Sequence, residues 1–199
     1  THFYRILIYT PEGELLATIG GTQGTELGEF SYVRDVVQDS SGNYYTCEYG
    51  ELDRIQVISP DHKFVRQWGG HGHEPGEFIR PEGLALDGNG HLFVADACNH
   101  RIQIFDLNGK LLEIWGSEGP DLGQLRYPHD VALGRNGSLY VCEWGNHRVQ
   151  KFSAGGKSLG AWGKPGRKNG EMNYPWAMAV DRHDRIHIGD SGNHRVQRI

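Results

Sequence analysis

The sequence predicts an all-β fold, a β-propeller built from four-stranded antiparallel blades, because one motif recurs at an almost constant spacing. The motif consists of an acidic residue, a short loop, the run Asn-His-Arg, an aliphatic residue and Gln, and it occurs in full three times. A fourth copy begins at Glu48, has one extra residue and lacks the Asn-His pair. Repeats of roughly 40 to 50 residues are typical of propeller blades. The acidic residues that open the four copies are Glu48, Asp96, Glu143 and Asp190, spaced 48, 47 and 47 residues apart.

Each repeat is expected to hold four short strands joined by tight turns. Residues 87–90 and 106–109 carry the glycines and short polar side chains that hairpin turns require. No segment has apolar residues at helical spacing, so almost no helix is expected. In the repeat that shows this best, the strands are predicted at residues 81–86, 91–96, 101–105 and 110–115.

The whole chain, residues 1–199, is expected to form a single propeller domain. Six units of this length would need roughly 280 residues, and the sequence starts and stops within a repeat, so we expect the chain to be part of a six-bladed ring. The predicted blades are partial at residues 1–29, whole at 30–77, 78–124 and 125–171, and partial at 172–199.

Charge and composition limit the classes of partner. The formal net charge is −5, and Lys164, Arg167 and Lys168 form the only cluster among dispersed basic residues. Nucleic-acid binding relies on clustered basic charge, so a nucleic-acid partner is not expected. No apolar stretch approaches the length of a membrane span, so a soluble protein is expected, whether cytoplasmic, periplasmic or extracellular. Cys47 and Cys142 occupy the same strand position two blades apart, so buried thiols rather than disulfides are expected.

The acidic and arginine residues of the motif are predicted to have a structural role. They are five or six residues apart, which lets the carboxylate reach the guanidinium across the loop between the second and third strands. A feature present in every blade does not define a single active site. The predicted pairs are Glu48 with Arg54, Asp96 with Arg101, Glu143 with Arg148, and Asp190 with Arg195.

A binding site is expected where the repeats differ at one equivalent position. The second residue of the innermost strand differs in each blade, while the surrounding framework is constant. The start of this strand should point toward the central channel, so these residues would surround its mouth as either a recognition surface or a solvated funnel. The predicted ligand-binding residues are Arg34, Glu82, His129 and Trp176, together with Tyr49 and Trp144 from the motif loop.

These repeats resemble the NHL repeat family. The similarity rests on the Asn-His-Arg run, the acidic residue before it, a fourth strand that ends in Trp-Gly and a following strand that opens with Pro. It covers essentially the entire chain and implies a propeller fold. For function, the resemblance implies several uses: protein-interaction platforms, extracellular sensor domains, RNA-binding domains of ubiquitin-ligase-like proteins, and the peptidyl-hydroxyglycine amidating lyase.

The comparison with the lyase concerns His129. The amidating lyase resembles this chain in using Pro-His at the start of innermost strands, where three such histidines hold a catalytic zinc, and Pro128 with His129 matches that pattern once. His129 is therefore a candidate metal ligand only if residues of other blades complete the site. No cofactor is predicted, and the sequence leaves open whether zinc or calcium binds in the channel.

The sequence thus predicts a binding scaffold whose channel face presents a recognition surface for a protein, a peptide or a small ligand. The alternative is a metal-dependent lyase or hydrolase with its site in the same channel. His129 and Glu82 would then be the first candidates for the acid and base. The sequence leaves open whether the chain is an enzyme.

Overall fold

The computed structural model describes residues 4–199. The chain divides into two compact units, Thr1–Pro81 and Glu82–Ile199. Within the described residues the regular structure is β-strand except for two short 3-10 turns, Ala97–Asn99 and Ser191–Asn193. The expectation of an all-β fold with almost no helix is therefore confirmed.

The first unit contains a two-stranded and a four-stranded antiparallel sheet. In both sheets neighbouring strands follow each other in the chain, which is the meander arrangement of a propeller blade. Its strands are β1 (Arg5–Tyr9), β2 (Leu15–Gly20), β3 (Tyr32–Gln38), β4 (Tyr44–Tyr49), β5 (Arg54–Ile58) and β6 (Phe64–Gly69).

The second unit contains two four-stranded sheets and one three-stranded sheet, again in chain order. The first four-stranded sheet consists of β7 (Pro81–Leu86), β8 (His91–Asp96), β9 (Arg101–Asp106) and β10 (Leu111–Trp115). The second consists of β11 (Pro128–Leu133), β12 (Leu139–Glu143), β13 (Arg148–Phe152) and β14 (Ser158–Trp162). The three-stranded sheet consists of β15 (Pro175–Val180), β16 (Ile186–Asp190) and β17 (Arg195–Arg198).

The strand boundaries follow the predicted turns closely. β7 and β8 have the predicted limits, β9 continues one residue further to Asp106, and β10 begins one residue later at Leu111. The reason is the hairpin itself, because the backbone NH of Asp106 bonds to the carbonyl oxygen of Lys110 at 2.9 Å. The four-stranded blades of the sequence prediction are confirmed, whereas the six-bladed ring stays a prediction.

The largest core cluster of the second unit lies between two neighbouring blades. The ring of Trp115 on β10 stacks on that of Phe152 on β13, with centroids 6.1 Å apart, and also packs against Phe93 on β8. Gly156 makes this packing possible, since a Cβ there would lie 2.5 Å from the indole nitrogen of Trp115. Blades that share such a core stabilise one another, as single sheets of this size cannot bury their own faces.

Candidate functional site: an aromatic cluster on the second unit

The motif carboxylate Glu143 is the centre of a buried hydrogen-bond network. One of its oxygens accepts from Arg148 Nε at 2.6 Å, and the other accepts from Asn146 Nδ2 at 2.6 Å. The remaining donors are Gln150 Nε2 at 3.1 Å and the backbone NH of Arg126 at 3.1 Å. Burial raises the pKa of the Glu143 carboxyl, and its donors, Arg148 first among them, oppose that rise.

The arginine of the same motif fastens the loop that enters the blade. The Arg148 guanidinium donates to the backbone carbonyl oxygens of Pro120, Asp121 and Gln124 at 2.5 to 3.0 Å. These carbonyls belong to the connection between β10 and β11. The motif therefore positions the start of the innermost strand, where the sequence predicts a recognition surface.

The other motif copies have the same ion pair between acid and arginine. The Nε-to-carboxylate distances lie between 2.6 and 2.8 Å, and each acidic side chain is fully buried. Arg195 repeats the contacts of Arg148, donating to the carbonyl oxygens of Arg167, Lys168 and Glu171. The structure places the predicted pairs together in every copy: Glu48 with Arg54, Asp96 with Arg101, Glu143 with Arg148, and Asp190 with Arg195.

The histidine of the motif positions an aromatic residue of the next blade. His147 Nδ1 accepts the backbone NH of Tyr174 at 3.0 Å, and the two rings lie 4.5 Å apart. His100 does the same for Tyr127, at 3.1 Å and 4.5 Å. All four residues have positive φ angles between 46° and 55°, which costs energy for side chains other than glycine and fixes where their rings point.

The two histidines must be neutral at Nδ1 to accept these bonds. Burial lowers the pKa of His100, an effect that Glu118 and Asp96 oppose and Arg126 reinforces. Burial also lowers the pKa of His147, against the opposing charge of Asp190. The folded protein therefore takes up these protons at lower pH than the unfolded chain does.

We expect the free energy of unfolding to fall as the pH is lowered from about 7 to about 5. Because the pKa values of His100 and His147 are lower in the folded state, the unfolded chain binds more protons in the window below about 6.5. Urea denaturation at a series of pH values measures this slope. The double variant His100→Gln/His147→Gln should lose about 1 kcal/mol per missing hydrogen bond near pH 7 and show a smaller slope.

The matched substitution His183→Gln controls for the loss of stability. It should change the free energy of unfolding near pH 7 by no more than about 0.5 kcal/mol, since His183 lies in an exposed hairpin. A double variant with the slope of the unchanged chain would contradict the assignment to His100 and His147.

Five rings form a continuous aromatic cluster at the start of the inner strands, made of Tyr127, His129, Trp144, Tyr174 and Trp176. Trp144 stacks on Tyr174 at 4.4 Å and on His129 at 6.0 Å. Tyr127 meets Trp144 edge to face at 5.8 Å, and Trp176 meets His129 in the same way at 4.5 Å. Tyr127, Tyr174 and Trp176 are 39 to 42% exposed, whereas His129 is only 7% exposed. The cluster is thus an open aromatic surface with a buried imidazole beneath it.

Three of the predicted site residues are the extra residues of β-bulges. The pairing of β11 with β12 passes from Pro128 to Asp130 and leaves His129 out of register. The register of β15 omits Trp176 in the same way, and that of β3 omits Arg34. A bulge re-aims a side chain away from the regular alternation of the strand, and bulges are common beside functional sites.

The predicted residues of the first unit, Arg34 and Tyr49, contact each other. The guanidinium of Arg34 lies 5.8 Å from the ring centroid of Tyr49, and that of Arg80 lies 5.2 Å from it. Tyr32 stacks on Tyr49 at 5.3 Å. The sixth predicted residue, Glu82, lies on β7 of the second unit and is buried. The structure therefore brings His129, Trp144 and Trp176 together, and it brings Arg34 together with Tyr49.

Sequence reasoning missed a second column of residues, two positions before the predicted one. Arg80, Tyr127 and Tyr174 stand directly before the prolines that open β7, β11 and β15, and Tyr32, followed by Val33, occupies the equivalent place at the start of β3. This column repeats with the same period as the predicted one. Its bulky side chains, in front of a proline in three copies, were the available signal.

His71 is a loop histidine of the first unit that contacts an acidic side chain. His71 Nδ1 lies 2.6 Å from the carboxylate of Asp53, so this loop histidine is held by one acid. Over residues 4–199 no group of three or more His, Cys, Asp or Glu side chains is arranged to hold a metal ion. In the same range the cysteines form no disulfide, and Cys47 and Cys142 are buried. Nor does this part of the chain contain a helix that is long and apolar enough to span a membrane.

The family comparison matches the repeats directly. The model described as "NHL repeat" matches three segments, residues 78–105, 125–152 and 172–199, each of which covers one full copy of the motif. The chain therefore contains three NHL repeats. In this NHL-repeat chain, the Asn, His, Arg and Gln of the motif are the groups that fasten the loop and the aromatic residue of the adjoining blade. No curated protein sequence matches the chain.

Solved structures show the same fold at low sequence identity. A streptogramin B lyase has a TM-score of 0.70 at 17% identity, covering 98% of this chain and 58% of that one. Virginiamycin B lyase from Staphylococcus aureus has a TM-score of 0.67 at 15% identity, with 98% and 62% covered. A chain of a nidogen/laminin complex has a TM-score of 0.67 at 16% identity, with 95% and 64% covered. The NHL-repeat chain therefore spans about three fifths of the length of these structures.

Proposed function

We propose that this NHL-repeat chain is a binding scaffold that holds an extended segment of a partner protein against the aromatic cluster. The observation that carries the proposal is the set of interlocked, partly exposed rings of Tyr127, Trp144, Tyr174 and Trp176. Aromatic side chains of this kind dominate the energetics of protein recognition surfaces. One structural neighbour comes from a nidogen/laminin complex, which is in keeping with a protein partner.

The rings are fixed before any ligand arrives. His147 and His100 hold the backbone of Tyr174 and Tyr127, and Glu143 and Arg148 hold the loop from which Tyr127 extends. A surface that is already ordered loses little side-chain entropy on binding, so more of the contact energy appears as affinity. Rings exposed by about 40% offer an open face rather than an enclosed pocket, which favours a peptide segment over a small molecule.

A selection from a random peptide library displayed on phage tests the proposal. We expect peptides to be enriched on the unchanged chain and to lose affinity by at least about tenfold on Trp176→Ala and on Tyr174→Ala. The matched control is Trp162→Ala, since Trp162 lies on the outer strand β14 and is exposed by 41%. Peptides that bind both cluster variants as tightly as the unchanged chain would refute the proposal.

A second candidate function is a lyase or hydrolase that uses His129. The observation that favours it is the bulge that places His129 out of register beneath the cluster, together with the structural likeness to two lyases. Mass spectrometry of the chain purified without a histidine tag or chelator tests it. Near-stoichiometric zinc or calcium that is lost in His129→Ala would favour an enzyme over a binding scaffold.

A further inference from the structure

We infer that the segment bound by the aromatic cluster is acidic, and that its carboxylates are held by the basic loop, residues 164–168. This inference rests on the proposed function and specifies the chemistry of its ligand. The loop connects β14 to β15 and therefore leads directly into Tyr174 and Trp176. Lys164, Arg167 and Lys168 are its three cations, and all are exposed.

The connection between β14 and β15 offers little negative charge to balance the cations of the basic loop. The one carboxylate in residues 164–171 is Glu171, whose oxygen lies 3.7 Å from Lys164 Nζ. The Lys164 side chain remains largely exposed in this pair, so the interaction contributes little and leaves the lysine available to a ligand.

The equivalent connection one blade earlier, between β10 and β11, carries the opposite charge. Residues 117–124, between β10 and β11, contain Glu118 and Asp121 and no Lys or Arg. The two connections nonetheless fold alike, because the bridges Glu118 to Leu125 and Pro165 to Met172 are equivalent. A constant backbone with a reversed charge is the arrangement of a recognition surface rather than of a structural requirement.

Hydrogen bonds from the motif hold the backbone of the basic loop. Arg195 donates to the carbonyl oxygens of Arg167 and Lys168 at 2.9 and 2.7 Å, and Asn193 Nδ2 donates to that of Gly166 at 2.9 Å. These bonds fix the backbone from which the cations extend. The ordering cost of binding is then confined to the ends of the side chains.

The loop also adjoins the aromatic cluster. At Gly163, which precedes it, φ is +104° and a Cβ would lie 2.8 Å from the carbonyl oxygen of His147. His147 in turn contacts the ring of Tyr174. A segment lying across Tyr174 therefore continues onto the basic loop without crossing another blade.

An acidic peptide fits this surface better than a nucleic acid does. Trp144 and Tyr174 stack on each other. The two ring faces between them are therefore not available for stacking with a nucleotide base. Ring edges carry partial positive charge and suit carbonyl and carboxylate oxygens. Three cations on a chain of net charge −5 are also few for a phosphate backbone.

Fluorescence anisotropy with three labelled probes tests the inference. The probes are a Glu-rich peptide that contains phenylalanine, the same peptide with Gln in place of Glu, and a single-stranded RNA of matched charge. We expect the Glu peptide to bind most tightly, with an affinity that falls as salt is added. The charge-reversed variant Lys164→Glu/Arg167→Glu/Lys168→Glu should weaken its binding by about tenfold or more.

A second triple variant controls for overall charge. Lys110→Glu/Arg135→Glu/Lys157→Glu changes the net charge equally at exposed hairpin residues and should leave affinity within about twofold. If both triple variants weaken binding equally, or if the Gln peptide binds as well as the Glu peptide, the inference of an acidic ligand is wrong. Tighter binding of the RNA would overturn it in favour of a nucleic acid. In each of these cases a loss of peptide binding in Trp176→Ala would still support the proposed function, so the two failures are distinguishable.

Discussion

Arg148→Ala is expected to lower the free energy of unfolding by about 3 to 5 kcal/mol, the cost of breaking a buried ion pair by removing one partner. Glu143 would lose its strongest donor in a fully buried position, where burial raises the pKa of its carboxyl and Arg148 opposes that rise. The carbonyl oxygens of Pro120, Asp121 and Gln124 would lose their donor at the same time. Urea denaturation followed by circular dichroism measures the change.

Lys63→Ala is the control for this ion pair. The Lys63 ammonium lies 2.7 Å from Asp61, a distance close to that of the buried pair, but both side chains are exposed. Exposed pairs of this kind contribute little to stability, so this variant should be nearly neutral. Equal losses for Arg148→Ala and Lys63→Ala would show that burial does not determine the strength of the motif.

Phe152→Ala is expected to cost about 3 to 5 kcal/mol, as other large-to-small changes of buried phenylalanines do. Phe152 is fully buried on β13 and stacks on Trp115 of the preceding blade, so its removal leaves a cavity between two blades. For a chain of this size a loss of 1 kcal/mol lowers the midpoint of thermal unfolding by about 2 to 4 °C. Calorimetry should therefore show a fall of roughly 10 °C.

Leu159→Ala separates this core effect from a general effect of losing apolar surface. Leu159 lies on the outer strand β14 and is more than half exposed, so its truncation should stay within about 0.5 kcal/mol. A Phe152→Ala chain as stable as Leu159→Ala would mean that the blades do not stabilise each other through Trp115 and Phe152.

The strands were predictable because short-range chemistry decides them. Hairpins such as residues 87–90 contain glycine and short polar residues at positions that tight turns demand, and β7 ends directly before this turn while β8 begins directly after it. The pairing of acid with arginine was predictable for a related reason. The two residues flank one loop, so their separation in the chain sets their separation in space.

The cluster was only partly predictable, since it depends on contacts between blades. The variable column identified His129 and Trp176, and the motif loop identified Trp144. Tyr174 was missed because its ring position depends on a left-handed backbone conformation and on a bond from its NH to His147 of the previous blade. The burial of His129 under Trp144 and Trp176 likewise follows from a bulge that periodicity does not reveal.

Fluorine NMR of the chain labelled with 5-fluorotryptophan is the most direct test of the binding surface. The chain has five tryptophans, of which Trp144 and Trp176 lie in the aromatic cluster. Trp68, Trp115 and Trp162 lie on the outer strands β6, β10 and β14 and report on the rest of the fold. When a peptide from the phage selection is added, the resonances of Trp144 and Trp176 should shift while the other three stay in place. Shifts confined to Trp68, Trp115 or Trp162 would contradict recognition at the aromatic cluster.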